Sequence, residues 1–81
     1  MIPMTDHRPD WTYSHEYDGG DKACGLLITE LAGFFRGLPA GDLVCVIAHD
    51  PSAWIDIPAW CRLVGHGFVD EAPPYYLLQR S

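Results

Sequence analysis

The sequence contains few basic residues. Five Lys and Arg stand against eleven Asp and Glu, which gives a formal net charge of −6 at pH 7. A negative charge of this size repels the phosphate backbone of nucleic acids unless basic side chains cluster locally, and the sequence has no such cluster. The composition therefore argues against a nucleic-acid partner and favours a protein partner with a basic surface.

Long apolar runs and paired cysteine motifs are also missing. No stretch approaches the ~18 apolar residues of a membrane span, and the N-terminal MIPMTDHRPDW lacks the apolar region of a secretory signal. The three cysteines, Cys24, Cys45 and Cys61, are odd in number and have no Cys-x-x-Cys spacing, which argues against a disulfide framework and against a zinc site. These absences predict a cytoplasmic protein without a membrane contact or a bound metal.

The apolar content, by contrast, is that of a folded chain. Hydrophobic residues make up 48% and charged residues 20% of the 81 positions, which is typical of a small globular domain. Residues 1 to 10 are polar, contain two prolines and show no periodicity, so we expect a flexible leader there. Residues 11 to 81 are expected to form a single domain.

Periodicity within that domain predicts six elements. Apolar and polar residues alternate from Trp11 to Tyr17, which indicates a strand, and helical spacing follows from Cys24 to Arg36. The run LVCVIA, residues 43 to 48, is typical of a buried inner strand that holds Cys45 in the core. After a second helix, HGFVDE and YYLLQ read as two strands separated by Pro73-Pro74.

The second helix is predicted from the string DIPAWCRLVGH, residues 56 to 66. Asp56 is a candidate cap, Pro58 is tolerated in a first turn, Cys61 is expected in the core, and Gly65 is expected to end the helix. Trp60, Leu63 and Val64 are expected to face inward. The element order is then βαβαββ, an α/β (α+β) two-layer sandwich with two helices on one face of a four-stranded mixed sheet.

Several features also fall in a familiar order and spacing from Tyr13 to Arg80. They are Tyr17-Asp18, Cys24 at the start of the first helix, Leu38-Pro39-Ala40-Gly41, Asp50-Pro51, DIPAWC, Gly65-His66 and a final aromatic strand. In these features the chain resembles the TusA/SirA-like family of small sulfur carriers. It departs from the family hallmark Cys-Pro-x-Pro, because both prolines are absent from Cys24-Gly25-Leu26-Leu27.

The resemblance implies the same βαβαββ fold and a function. Members of the family accept sulfane sulfur as a persulfide on the cysteine that begins the first helix, and they hand it to an acceptor protein. On this chain that catalytic residue is Cys24. The donor would be a protein such as a cysteine desulfurase or a rhodanese, and no bound cofactor is required.

The chemistry expected of Cys24 can also be judged from its neighbours. A helix N-terminus favours a thiolate because unpaired N–H groups and the helix dipole stabilise an anion. Lys22 adds positive charge while Asp18 and Asp21 oppose it, so the net direction of the pKa shift stays open. Gly25 in place of proline would leave the approach to the sulfur open.

The residues leave other interpretations open. Cys24 could be a buried helix-start residue, and the chain would then be a binding or regulatory module that moves no sulfur. Cys24 and Cys61 could also form a redox pair if they lie close together. A metal site of Cys24, His49 and His66 lacks ligand spacing, and His66 is more simply a cap at the end of the second helix.

Overall fold

The computed structural model describes residues 9–81, so residues 1 to 8 of the predicted leader lie outside the described residues. The elements are β1 (His15–Asp18), α1 (Cys24–Arg36), β2 (Leu43–Ile47), α2 (Ala53–Val64), β3 (Gly67–Ala72) and β4 (Tyr75–Gln79). Neither helix in this part of the chain is long and apolar enough to cross a membrane.

The four strands form one mixed sheet in the order β1-β2-β4-β3. β1 and β2 are parallel and are connected through α1, whereas β4 runs antiparallel to both β2 and β3. β3 and β4 form a hairpin at Pro73-Pro74, whose peptide bond is cis. The predicted βαβαββ two-layer sandwich is confirmed.

The core lies between the sheet and the two helices. Alternate residues of the central strands, Val44 and Val46 of β2 with Tyr76 and Leu78 of β4, face the helices, as the period of a strand requires. The helices fill this face with a shared set of buried side chains: Cys24, Leu27, Leu31, Phe35, Ala53, Ile57, Trp60 and Cys61. Both helices therefore pack on one face of the sheet, as predicted.

β1 is shorter than the alternating pattern predicts. The pattern begins at Trp11, but the strand begins at His15, which pairs with Val44. The neighbouring strand starts only at Leu43, whose carbonyl accepts the Ser14 N–H at 3.0 Å. An edge strand can form backbone hydrogen bonds only along the length of its one neighbouring strand. Residues 11 to 13 extend beyond the start of β2, so they alternate like a strand but are not paired in the sheet.

The start of α2 was predicted wrongly. The helix begins at Ala53, so Asp56 is its fourth residue and not its cap, and Pro58 is its sixth residue and not part of the first turn. The N-cap residue is Ser52, whose own N–H donates to Asp50 Oδ1 at 2.8 Å. Asp56 is instead a regular residue of the first helical turn, because its own N–H donates to the Ser52 carbonyl at 2.9 Å.

The earlier start also changes the buried face of α2. Ala53, Ile57, Trp60 and Cys61 face the core, whereas Leu63 is 84% exposed and Val64 is 46% exposed. The expectation that Leu63 and Val64 point inward is therefore wrong, and that for Trp60 is confirmed. Gly65 ends the helix as predicted, with a left-handed φ of 89° and its N–H donated to the Cys61 carbonyl.

Candidate functional site

Both helices begin at the same edge of the sheet. Because β1 and β2 are parallel, the loops that follow them emerge together and deliver the N-termini of α1 and α2 side by side. The β3–β4 turn reaches the same edge, where the Pro74 carbonyl accepts the Ala48 N–H at 2.9 Å. This edge carries Cys24, Asp50 and Asp56, and we call it the helix-start edge.

A glycine shapes the loop that leads to Cys24. Gly19 is buried, and its N–H donates to the Ile47 carbonyl at 2.8 Å. A Cβ at this position would lie 2.6 Å from Leu27 Cδ1 and 2.9 Å from the Ile47 carbonyl oxygen, so a side chain would push loop and sheet apart. The loop therefore follows the sheet closely before α1 begins.

Cys24 is the first residue of α1 and is only 3% exposed. Its side chain belongs to the hydrophobic core, while the next two residues, Gly25 and Leu26, are exposed at the surface. α1 has no cap of its own, since the N-cap residue is Ala23 and the first turn contains no acidic residue. The thiol is thus buried just beneath an exposed and weakly capped helix end.

Asp50 supplies the missing cap. Its Oδ2 accepts the Cys24 N–H at 3.0 Å, while its Oδ1 accepts the Ser52 N–H and the Ser52 hydroxyl, the latter at 2.7 Å. Hydrogen bonds from the Ser52 hydroxyl, the Ser52 N–H and the Cys24 N–H lower the pKa of Asp50. One carboxylate, contributed by the β2–α2 loop, thereby joins the starts of both helices.

The same surroundings hold the Cys24 thiol in its protonated form. Burial, the charges of Asp56 and Asp50, and a hydrogen bond to Asp56 raise the pKa of Cys24 to about 11. Tyr76 of β4 also lies close enough to interact electrostatically with Cys24. The pKa shift of Cys24, whose direction the sequence leaves open, is therefore upward. Desolvation and two carboxylates act against the stabilisation that the N-terminal end of the helix dipole gives a thiolate.

Comparison with known proteins places the chain in a family, although no protein-family model matches it. It is 38% identical over 68 residues to the sulfur carrier protein TusA of Pseudomonas syringae pv. syringae (strain B728a), which covers 84% of this chain and 81% of the relative. The chain belongs to the TusA family. The resemblance drawn from the order of its residues is confirmed.

Two further TusA proteins give the same result. The sulfur carrier protein TusA of Pseudomonas putida (strain GB-1) is 37% identical over 68 residues, which cover 84% of this chain and 80% of the relative. That of Pseudomonas fluorescens (strain SBW25) is 43% identical over 58 residues, which cover 67% and 70%. The matches extend over most of the domain and are not confined to one motif.

Two other predicted site residues of this TusA-family chain, Lys22 and Asp18, are not among the groups that shift the pKa of Cys24. The Lys22 ammonium lies 3.5 Å from a carboxylate oxygen of Glu30, and Asp18 Oδ1 accepts the Gly20 N–H at 2.9 Å. Gly25 would place a Cβ in open space, with no atom within 4 Å. Lys22 and Asp18 therefore shape the loop surface, whereas Gly25 leaves the first turn of α1 uncovered.

Asp50 is the site residue that the sequence reading missed. In the sequence, Asp50-Pro51 is only one of the features shared with the sulfur-carrier family, and Asp56 is the candidate cap. The pattern Asp-Pro-Ser before an apolar helical run contains the signal for Asp50, because Asp often accepts the N–H of the residue two positions later. The second bond of Asp50, to Cys24, joins residues 26 positions apart and has no local signature.

Cys45 and Cys61 lie in the interior, and Cys24, Cys45 and Cys61 form no disulfide. Cys45 is in the central strand β2, and Cys61 faces the core from the third turn of α2. Burial raises the pKa of Cys61 to about 11, against a smaller lowering by the charge of Arg62. Neither thiol lies at a helix N-terminus.

His66 does not cap α2 as the sequence suggests. Its ring packs against Phe35 and Trp60, with ring centroids 4.7 Å and 5.3 Å away, and its Nδ1 accepts the Ser81 N–H at 3.2 Å. Burial, followed by the charge of Arg80, lowers the pKa of His66. Within residues 9–81, no three His, Cys, Asp or Glu side chains are grouped as metal ligands.

Proposed function

We propose that this protein carries sulfane sulfur as a persulfide on Cys24 and passes it to an acceptor protein. The observation that carries the proposal is the position of Cys24, the first residue of α1, directly beneath the exposed Gly25 and Leu26. The sulfur carrier proteins TusA to which the chain is similar support this function. Cys45 and Cys61 are poorer candidates because they lie within regular elements of the core.

The transfer is an exchange between thiol and persulfide that needs no external oxidant. The Cys24 thiolate attacks the terminal sulfur of a donor persulfide, R–S–SH, so that a new S–S bond forms on Cys24 and the donor leaves as R–S⁻. A thiolate of the acceptor then attacks the terminal sulfur of Cys24–S–SH, and Cys24 leaves as its thiolate. Each step forms one S–S bond and breaks one.

The thiol must lose its proton before the first step. The Asp56 carboxylate, whose charge and hydrogen bonding contribute to the raised pKa of Cys24, is the candidate acceptor of this proton. Because the pKa of Cys24 is raised to about 11 in the closed fold, the resting carrier is protonated and unreactive at neutral pH. A donor protein such as a cysteine desulfurase or a rhodanese would therefore have to open the start of α1. A function that depends on a reduced Cys24 thiol suits the cytoplasm.

The direct test is intact-mass spectrometry after exposure to a cysteine desulfurase with cysteine. Wild type should gain one sulfur atom that dithiothreitol removes, Cys24→Ser should gain none, and the matched Cys61→Ser variant should behave as wild type. Equal gains in wild type and Cys24→Ser would refute the assignment.

A second candidate function is a binding or regulatory module that moves no sulfur. The observation in its favour is the 3% exposure of Cys24, which a permanently inert core residue would also have. This function predicts that no desulfurase loads the wild-type protein and that iodoacetamide reaches Cys24 only when the whole chain unfolds.

A further inference from the structure

Asp50 makes two contacts that lead to different parts of the chain. Its Oδ1 binds Ser52 within its own loop, through the N–H at 2.8 Å and the hydroxyl at 2.7 Å. Its Oδ2 reaches across the helix-start edge to the Cys24 N–H at 3.0 Å. The first contact fixes the carboxylate, so the second one fixes the start of α1.

The first turn of α1 is otherwise held by the buried Cys24 and Leu27 side chains, by the Thr29 hydroxyl, which donates to the Gly25 carbonyl at 3.0 Å, and by one backbone bond. Ala23 offers no capping side chain, and Gly25, the second residue of the helix, is a poor helix former. The first turn retains the Leu27 N–H bond to the Ala23 carbonyl, at 2.9 Å. Since a hydrogen bond to a carboxylate is stronger than one between neutral groups, the bond from Cys24 to Asp50 is the strongest hydrogen bond of this turn.

The side chain of Cys24 depends on that restraint. It is in the core only while Cys24 is helical, because unwinding the first residue of α1 would turn the thiol toward the exposed surface at Gly25 and Leu26. Opening also separates the sulfur from Asp50 and Asp56, the two carboxylates that face it from the start of α2. One local change would therefore expose the sulfur and reduce the repulsion of its anion.

We propose that Asp50 is a positioning residue that keeps Cys24 in a closed conformation, and that sulfur transfer requires the bond between Asp50 and the Cys24 N–H to open. This inference rests on the proposed function of Cys24. It differs from a purely structural role because it predicts release of one cysteine and not loosening of the whole core.

The test is thiol labelling of wild type and Asp50→Ala at neutral pH, with the labelled cysteine located by peptide mass spectrometry. Iodoacetamide and the bulkier dithiobis(nitrobenzoate) are compared. Asp50→Ala should label at Cys24 roughly tenfold faster than wild type, as expected on loss of a hydrogen bond to a charged group. The rate of Cys24 labelling by dithiobis(nitrobenzoate) should increase at least as much as the rate with iodoacetamide, because opening makes the sulfur more accessible. The Cys24 amide should exchange its hydrogen faster.

Three variants separate the possible causes. Ser52→Ala removes the hydroxyl bond to Asp50 but keeps the Ser52 N–H bond, so it should raise Cys24 labelling less than Asp50→Ala does. Asp18→Asn removes an equal charge at the end of β1, so it should label Cys24 at nearly the wild-type rate. Asp56→Asn removes a charge near the sulfur without touching the bond to the Cys24 N–H, so it should leave the ratio of the two reagents unchanged. Cys61 serves as an internal control, because general destabilisation would label it as well.

The outcomes distinguish this inference from the proposed function. If Asp50→Ala changes neither labelling nor amide exchange at Cys24, or exposes Cys61 equally, the inference is overturned even when wild type still carries sulfur. If Cys24 labelling rises selectively but wild type takes up no sulfur, the positioning role stands and the carrier function fails. Should Asp50→Ala not fold, Asp50→Asn, which keeps one acceptor oxygen, is measured against the same controls and should give a smaller selective rise.

Discussion

Cys24 and Cys61 lie in the same core, and the pKa of each thiol is raised to about 11, yet their surroundings differ. Around Cys61 the raised pKa comes from burial in the middle of a helix, opposed by the charge of Arg62. Around Cys24 it comes from burial together with two carboxylates, at a helix end where Asp50 accepts the Cys24 N–H.

Two thiols with similar burial and similarly raised pKa values can still differ in the free energy needed to expose them. The environment of Cys61 changes only if α2 leaves the sheet, which is unfolding of the domain. The environment of Cys24 changes if one turn of α1 opens, which requires far less free energy. On the proposed opening of α1, the reactivity of Cys24 can be switched, whereas Cys61 is part of the scaffold.

The largest expected difference between the two thiols is in their labelling rates. In native wild-type protein at neutral pH, iodoacetamide should modify Cys24 on the order of 100-fold faster than Cys61, because local opening is more frequent than global unfolding. Peptide mass spectrometry after timed quenching measures both rates in one sample. Equal rates would mean that both thiols are released by the same global event, and the comparison would then break down.

Stability at alkaline pH tests what the two thiols share. The pKa of each is about 11 in the folded protein against an ordinary value of 9.0, so the unfolded chain releases these protons first. The free energy of unfolding should be undiminished below about pH 9 and should fall as the pH rises toward 11. Urea denaturation across this range measures the fall. It should be smaller in the double variant Cys24→Ser, Cys61→Ser, in which Tyr17, with a pKa raised to about 12, still contributes.

Replacing each cysteine by serine should lower the free energy of unfolding by different amounts at the two sites. A hydroxyl at position 61 would be buried in the apolar core, so Cys61→Ser should lower the free energy of unfolding by about 1–3 kcal/mol. A hydroxyl at position 24 can donate to Asp56, as the thiol does, so Cys24→Ser should cost less than about 1 kcal/mol. Urea denaturation at neutral pH measures both values. A larger loss for Cys24→Ser would contradict the difference drawn here.

Much of this architecture could be predicted from the sequence, because the signals that specify it are local. The helical spacing from Cys24 to Arg36, the apolar run of β2 and the glycine at position 65 each determine their own element. The predicted start of α2 is wrong because Asp is a favoured N-cap residue, whereas the N-cap of this helix is Ser52, whose N–H is held by Asp50.

The electrostatics of the site could not be predicted in the same way. Asp18 and Asp21 are near Cys24 in the sequence, but the carboxylates that act on its thiol are Asp56 and Asp50, brought in by the second βα connection. Burial of a residue at a helix end depends on which face of the first turn meets the sheet. Both effects depend on tertiary contacts. The position of the candidate cysteine could therefore be found from the sequence, whereas the direction of its pKa shift could not.

The smallest expected effect isolates the contribution of charge at Cys24. Asp56→Asn removes both the negative charge and the carboxylate acceptor beside the thiol, so the pKa of Cys24 should fall and its labelling rate at a fixed pH should rise several-fold, less than the tenfold that one full pKa unit gives. The Cys61 rate should not change, because Asp56 is not among the groups that shift the pKa of that thiol. The pH dependence of labelling with iodoacetamide, read separately at the two cysteines, measures this. The matched Asp18→Asn variant removes the same charge from a residue whose carboxylate is bonded to Gly20 and does not act on the thiol, so it should leave both profiles in place. An equal shift in both variants would mean that net charge, and not the carboxylate at the start of α2, sets the acidity of Cys24.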